Sequence, residues 1–417
     1  LFPRPTALQA LLDQLNAPDL QEAWQPGNEE TIGWVYQYFN EPDLEIFRSQ
    51  RAPKVPAELV AAKTEQFTPR WIVTFLVQNT LGRLWLQMHP DSSLTDTLDY
   101  LVPVADGLPP LPAKPVRDIS LLDPACGTMH FGLVAFDLLA EMYREELDRA
   151  GQPGWPATPS VERAEDIPAA VIAHNLHGID IDLRAVQLAA LALYLKAKVL
   201  NPAATLTESN LACADVQLLN GQQLDAFLKQ TAFGRPVYER VVRALWSRLK
   251  DAAQLGTLLR LEDEVQEIVK RERKAATQEA SRLPGMRDDA RYRDALPGGA
   301  FWDKLASDIR QALDEFARRQ AAGGSDAGFF SGEAAKGLRM LDLMVRRYDC
   351  VVTNPPYLDS RDYNPRMKEF VESAYPEGKR NLYSAFLERC LELLNESGRL
   401  GIVTPQTFMF ISSFEKI

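Results

Sequence analysis

The feature that most restricts the fold is an alternation of short apolar runs, each closing on a polar residue, with long helical patterns. Ile119-Ser120-Leu121-Leu122-Asp123 reads as a buried strand, and Phe131 to Leu147 as the helix after it. Gly178-Ile179-Asp180-Ile181-Asp182 reads as a second strand end, followed by a helix through Leu200. Another strand is expected to end at Asp215. The pattern resumes at Tyr348-Asp349-Cys350-Val351-Val352-Thr353, with a helix over 381–395 and a strand at Gly401-Ile402-Val403-Thr404. Parallel neighbours need a crossover between them, so this alternation predicts a parallel sheet covered by helices on both faces, the α/β class.

Four segments follow. Residues 1–115 are an N-terminal helical region, broken by prolines and carrying the aromatic run Ile32-Gly33-Trp34-Val35-Tyr36-Gln37-Tyr38-Phe39. A helix starts after Thr68-Pro69, because proline suits the first turn, and its period sets Trp71, Ile72, Phe75, Leu76 and Thr80 on one face. The sheet pattern occupies 116–220 and 346–417. Between them, 221–345 is a mixed-charge helical insertion, with helical stretches around 236–280 and 303–320. It reads either as a solvated helical hairpin or as an arm touching nucleic acid through Lys270, Arg271, Arg273 and Lys274.

Composition removes several function classes. No apolar run reaches the roughly 18 residues of a membrane span, and no basic-then-apolar leader opens the chain, so a cytoplasmic protein without membrane contact is expected. The chain opens on Leu1-Phe2-Pro3 without a starting Met and is expected to be part of a longer protein. Cys126, Cys213, Cys350 and Cys390 form no CxxC pair and have no His at ligand spacing, so they read as reduced thiols with no metal site. None follows a proline, which removes a Pro-Cys nucleophile. With 4 histidines in the chain, His-based catalysis is disfavoured, and His174 and His177 read as surface or structural residues. The net charge of −11 makes a poor surface for gripping a polyanion.

Two loops carry the chemistry. Asp123-Pro124-Ala125-Cys126-Gly127-Thr128-Met129-His130-Phe131 joins a strand to a helix, the crevice where doubly wound sheets bind ligands. Gly127 has no Cβ and lets backbone approach a ligand. GxGxxG and GxxxxGK[ST] are both absent, which favours a cofactor without phosphates. Asp180 ends the next strand, where a carboxylate can accept from both ribose hydroxyls. Asp182 reads as a second such acid or as a helix cap. Asp215 can accept from an adenine amino group.

The second loop, Asn354-Pro355-Pro356-Tyr357, directly follows an apolar strand. The lone pair of a ring-conjugated amino group is delocalised, so the nitrogen is a weak nucleophile. Two acceptors on its two N–H bonds draw it toward a tetrahedral nitrogen. The Asn354 side-chain oxygen and the Pro355 carbonyl suit that task, and consecutive prolines fix the backbone so that the two converge. Tyr357 offers a flat face for a base swung out of a duplex, a stack worth on the order of 1–3 kcal/mol.

On these motifs and their order, the chain resembles the gamma-order amino-methyltransferases. The resemblance is carried by Phe67-Thr68-Pro69, the Asp123 to Phe131 loop, Gly178-Ile179-Asp180-Ile181-Asp182, Asp215 and Asn354-Pro355-Pro356-Tyr357, which together cover most of 64–417. More narrowly it is similar to the PglX-type methylases of BREX phage-exclusion systems. That likeness rests on residues 32–40, Thr80-Leu81-Gly82-Arg83-Leu84-Trp85, Lys379-Arg380-Asn381-Leu382-Tyr383 and the stretch running to Phe414-Glu415-Lys416. The resemblance implies a Rossmann-like S-adenosylmethionine-dependent methyltransferase sheet and methyl transfer to N6 of adenine in DNA. Asp123 would face the methionine amino group, with Ala125 and Gly127 lining that end by backbone. Asp180 would hold the ribose, Ile181 would pack on the cofactor adenine, and Asp215 would hold its amino group. Phe67 and Thr68 would close the methionine side, and Asn354, Pro355, Pro356 and Tyr357 would take the target base. Met129 departs from the pattern, since many relatives have a small residue or Gly there.

The partner implied is double-stranded DNA, read by a C-terminal recognition domain expected beyond Ile417, with other defence-system proteins as further partners. The other readings are the methylase part of a fused restriction-modification enzyme and a non-catalytic subunit of a defence complex. Because of its charge, and because the mixed-charge helical insertion at 221–345 is the only candidate element to enter a groove, the 417-residue chain alone is expected to bind cofactor but not to recognise or methylate a specific site. Titration against duplexes of varied sequence at low salt, with methyl incorporation assayed alongside, checks this. Sequence-selective binding would place recognition within 221–345.

Overall fold

The structure is a computed structural model. It describes residues 4–25, 30–49, 54–55, 60–64, 67–104, 107–206, 209–214, 255–260, 339–340, 342–344 and 346–410, with isolated positions between. Asp215, the basic group at Lys270, Arg271, Arg273 and Lys274, the helical stretches expected around 236–280 (apart from 243, 247, 255–260 and 267) and 303–320, and Phe414-Glu415-Lys416 lie outside the described residues.

Strands β1 (Leu121–Asp123), β2 (Leu176–Asp180), β3 (Asn210–Cys213), β4 (Tyr348–Thr353) and β5 (Leu394–Ile402) form an all-parallel sheet in the order β3-β2-β1-β4-β5. The α/β class expected from the alternation is therefore the observed one. The chain builds outward from β1 to β3, then returns to lay β4 against the other side of β1. The order reverses between β1 and β4, and the carboxyl ends of strands at such a reversal frame a ligand crevice.

Helices cover both faces. Before the sheet come α1 (Pro5–Leu15), α2 (Glu30–Ser49), α3 (Val60–Thr64), α4 (Arg70–Val77) and α5 (Arg83–Met88); α6 (His130–Arg149), α7 (Ile167–Ala170) and α8 (Leu183–Leu200) connect the first strands. Pro365–Ala374 (α9) and Leu382–Glu392 (α10) precede β5. Successive strand residues face opposite sides. Leu121, Leu176, Cys350 and Val352 pack in one core with Val73, Val77, Phe136 and Leu193. Leu122, Ile179 and Val351 pack in a second core with Met367, Val371, Phe386 and Cys390.

Three details differ from the sequence reading. The expected face of α4 is only partly the buried one: Thr80 is buried and Leu76 packs on the core, but Trp71 is 60% exposed and Phe75 37%, whereas Val73, Val77 and Leu81 are fully buried. This helix is apolar on several sides, so its period alone selects no unique face. A π-helical stretch at Gln78–Gly82 then turns the residues after it relative to a continuous α-helix. β5 begins earlier than expected, at Leu394 opposite Tyr348; the polar stretch Asn395-Glu396-Ser397 lies in an irregularity of the register, which resumes at Arg399 opposite Cys350. The third difference is in the insertion. Its described residues 255–260 are not solvated: Leu255, Leu258 and Leu259 lie in the second core.

Met129 caps α6 in the left-handed region at φ 69, a conformation that costs a non-glycine residue roughly 1–2 kcal/mol. Its side chain is fully buried against Gly132 and Gly178, which offsets that strain with apolar packing. Asp182 caps α8 by accepting from the Arg184 amide at 2.8 Å, so its cap role is the observed one. His177 is buried in β2, with Nδ1 3.0 Å from the Asn175 carbonyl, and burial pushes its pKa down to about 4. Among the described residues no helix is long and apolar enough to cross a membrane, and no group of three or more His, Cys, Asp or Glu is placed to hold a metal.

Asn175 ties the entry to β1 to the entry to β2. Fully buried, it donates from Nδ2 to the Val116 and Ile119 carbonyls at 2.7 Å each and accepts from the Tyr143 hydroxyl at 3.0 Å. Asn175→Ala strands these groups in the core, and a loss of about 2–4 kcal/mol is expected in urea unfolding.

Candidate active site

The reversal between β1 and β4 brings Asp123, Asp180 and Asn354 to one end of the sheet, since each sits at or just past a strand end. The loop after β1 is pinned by its neighbours. The Cys126 amide donates to the Ile179 carbonyl at 3.0 Å, and the Gly127 amide donates to Asp180 Oδ2 at 2.8 Å. The other Asp180 oxygen accepts from the Asp182 amide at 2.9 Å. Gly127 has φ +50, and a Cβ there would meet nothing within 4 Å. Packing therefore does not demand glycine at 127; the vacant space belongs to the cleft and would be filled by any side chain.

That cleft encloses about 670 Å³, part of it open to solvent. Ala125, Gly127, Asp180, Ile181, Asn354 and Pro356 line it. A second hollow, about 440 Å³, adjoins it at Ala125, Gly127 and Asn354 and is lined by Phe67, Thr68, Asp123 and His130. Of the expected site residues the structure thus gathers Phe67, Thr68, Asp123, Ala125, Gly127, Asp180, Ile181, Asn354 and Pro356 in one connected depression. Pro355, which is buried, and Tyr357 line neither hollow.

Asn354 is oriented by its amide nitrogen, which donates to Thr68 Oγ1 at 3.0 Å. The acceptor oxygen Oδ1 is the opposite end of the same planar group. Tyr357 is fixed at its tip: its hydroxyl donates to the Val403 carbonyl at 2.9 Å, and its ring centroid lies 5.8 Å from that of Tyr383. Burial pushes the Tyr357 hydroxyl up to about 12, so it remains a neutral donor. Phe67 lies between Trp34 and His130, with centroids 4.6 and 4.5 Å away. A Cβ at Gly33 would come within 2.2 Å of the Phe67 ring, so glycine in α2 makes room for it.

Two carboxyls dominate the electrostatics. Burial pushes Asp123 up to about 7, a rise moderated by the hydrogen bond from the Ala125 amide and by the nearby Thr353 side chain, and reinforced by the charge of Asp180. Burial likewise raises Asp180 to about 6 against the amides of Asp182 and Gly127. No basic side chain is among the main causes of either shift. Such a site favours a ligand that brings positive charge with it.

Sequence reasoning missed several lining residues: Tyr36, Thr64, Gly256, Thr257 and Phe386. Tyr36 donates to Asp182 Oδ2 at 2.7 Å across 146 positions of sequence. The aromatic run around it was visible, but nothing local showed which ring would turn inward.

A family model described as Eco57I restriction-modification methylase matches residues 174–417. The chain is 29% identical over 443 aligned residues to the adenine-specific methyltransferase BrxX of Escherichia coli O9:H4 (strain HS), covering 98% of this chain and 31% of that protein. It is 26% identical over 425 aligned residues to the adenine-specific methyltransferase PglX of Lacticaseibacillus casei (strain Zhang), with the same coverage of each. The chain thus spans about a third of the length of these curated relatives.

The raised carboxyls give a pH signature. A buried Asp whose folded pKa lies above its unfolded value favours folding while protonated and opposes it once ionised. The contribution of Asp123 should therefore fall as pH rises from about 4 to about 7, by roughly 4 kcal/mol across the window. Urea unfolding of Asp123→Asn and wild type across this range checks it. The variant should gain stability over wild type as pH rises, and a constant difference would contradict the burial argument.

Proposed function

The chain belongs to the Eco57I restriction-modification methylase family, and from that premise we propose that it is the catalytic core of a DNA methyltransferase acting on N6 of adenine. The observation that carries the reading is the shared lining: Asn354 borders the cleft that holds Gly127 and Asp180 and also the hollow that holds Asp123. An acceptor for a target amino group and a cradle for a cationic cofactor therefore meet at one side chain.

The cradle suits S-adenosylmethionine. Gly127 leaves room for close approach, and the buried Asp123 and partly buried Asp180 carboxyls have no basic side chain among the main causes of their shifts. No phosphate-binding loop is present in the sequence. Asp123 with Ala125 and Gly127 would receive the methionine end, closed by Phe67 and Thr68. Asp180 would accept from the ribose, Ile181 would pack on the adenine ring, and Asp215 would accept from its amino group. When bound, the cofactor supplies a methyl group on a sulfonium, a leaving group that needs no acid to assist it. The protein's task is then positioning and electrostatics.

Asn354 Oδ1 and the Pro355 carbonyl would accept the two N–H bonds of the target amine and concentrate its lone pair toward the methyl carbon. Thr68 fixes the direction of that amide, so the acceptor is aimed before the base arrives. Tyr357, anchored to the Val403 carbonyl, would be the platform under the extruded base. Double-stranded DNA is the proposed substrate, recognised by segments outside these residues, within a restriction-modification or phage-defence system.

Asn354→Ala in the full-length protein should leave S-adenosylmethionine affinity within about twofold, by calorimetry, and lower methyl transfer to DNA by about 10²–10³. Wild-type turnover in the variant would remove Asn354 from the mechanism.

A further inference from the structure

A short piece of the 221–345 insertion is built into the cleft. Gly256 and Thr257 line it together with Pro124, Asp180 and Ile181. Gly256 has φ +50, and a Cβ there would lie 2.9 Å from Ile181 Cγ2, so the turn rests directly on the Ile181 side chain. Thr257 is 1% exposed and donates its hydroxyl to the Pro124 carbonyl at 2.8 Å. That carbonyl belongs to the loop whose next residues form the Gly127 cradle.

The turn is held from the protein side by two helices. Arg389, fully buried in α10, donates from Nε to the Thr257 carbonyl at 2.9 Å. Tyr375 donates its hydroxyl to the Leu258 carbonyl at 2.6 Å, and Arg260 donates from Nη1 to the Ala374 carbonyl at 2.8 Å. A guanidinium taken wholly out of water is costly unless its donors are used. Here one of them is spent on the backbone of this turn. The turn lines the Asp180 and Ile181 side of the depression, whereas the hollow of Phe67, Thr68, Asp123 and His130 has no lining residue from it.

We propose that the Gly256–Leu258 turn is a wall of the nucleoside half of the cofactor cleft, with Gly256 and Thr257 setting how tightly the adenosine moiety is held. Thr257 is a positioning residue that acts through Pro124, and Gly256 acts through Ile181. The proposal rests on the reading of this cleft as an S-adenosylmethionine site. It makes the insertion a part of the cofactor site.

S-adenosylmethionine and S-adenosylhomocysteine share the nucleoside and differ in the sulfonium charge, so the pair locates the effect. Calorimetry on the full-length protein compares wild type with Thr257→Val, Thr257→Ser and Gly256→Val, each checked for an unchanged melting temperature. Thr257→Val should weaken both ligands by the same factor, about tenfold, the scale of one unmet buried hydrogen bond. Thr257→Ser keeps the hydroxyl and should restore wild-type affinity. Gly256→Val, which forces a side chain onto Ile181, should weaken both ligands at least as much; if it does not fold, the Thr257 pair decides. Unchanged affinity in Thr257→Val, or a loss confined to S-adenosylmethionine, would overturn the proposal. Wild-type protein that binds neither ligand would instead overturn the reading of the cleft on which it rests.

Discussion

The hydrogen bond from the Gly127 amide to the Asp180 carboxylate, 2.8 Å long, closes the loop after β1 onto the end of β2. Asp180 also receives the Asp182 amide on its other oxygen, and its own carbonyl accepts from the Ala214 amide at 2.7 Å. One residue thus joins the loop after β1, the start of α8 and the chain leaving β3. Burial opposes the charged form of this carboxylate, and these amides are what favours it. Shape and charge in the cleft are therefore coupled. The backbone geometry that opens space at Gly127 also keeps an acid beside it.

Much of this was legible in the sequence because parallel strands advertise their ends. Apolar runs that stop at Asp123, Asp180 and Asn354 mark the carboxyl edge of the sheet, and the strand order 3-2-1-4-5 brings those ends together. What stayed hidden depends on contacts far apart in sequence. Thr257 meets Pro124 across 133 positions, and no local pattern in a charged insertion announces it. The buried face of α4 was hidden for a different reason. A helix apolar on several sides has no preferred face until the sheet supplies one, and the π-helical stretch at Gln78–Gly82 then shifts the phase. Met129 could be seen as unusual, but the burial of its side chain against Gly132 and Gly178 required the coordinates.

The N-terminal helices complete the depression that the sheet begins. Gly33 makes room for Phe67, Tyr36 reaches Asp182, and Thr68 aims Asn354. Each contact is modest; the first packs two N-terminal segments together, and the other two join an N-terminal segment to a residue just past a strand end. The sheet alone would present three polar strand ends to water. With these helices in place, the same ends line a partly enclosed hollow, where hydrogen bonds and charges act more strongly than in bulk solvent.

The strand order also has a consequence for how the chain is made. β1 is an interior strand, yet β4, one of its two partners, lies more than 220 residues downstream. On the ribosome, the half-sheet of β1, β2 and β3 can assemble long before β4 emerges. Until then one edge of β1, with Leu121 and Leu122, stands open and ready to pair with any other extended strand. The middle of the finished sheet is thus an open edge during synthesis, for as long as the insertion takes to be translated.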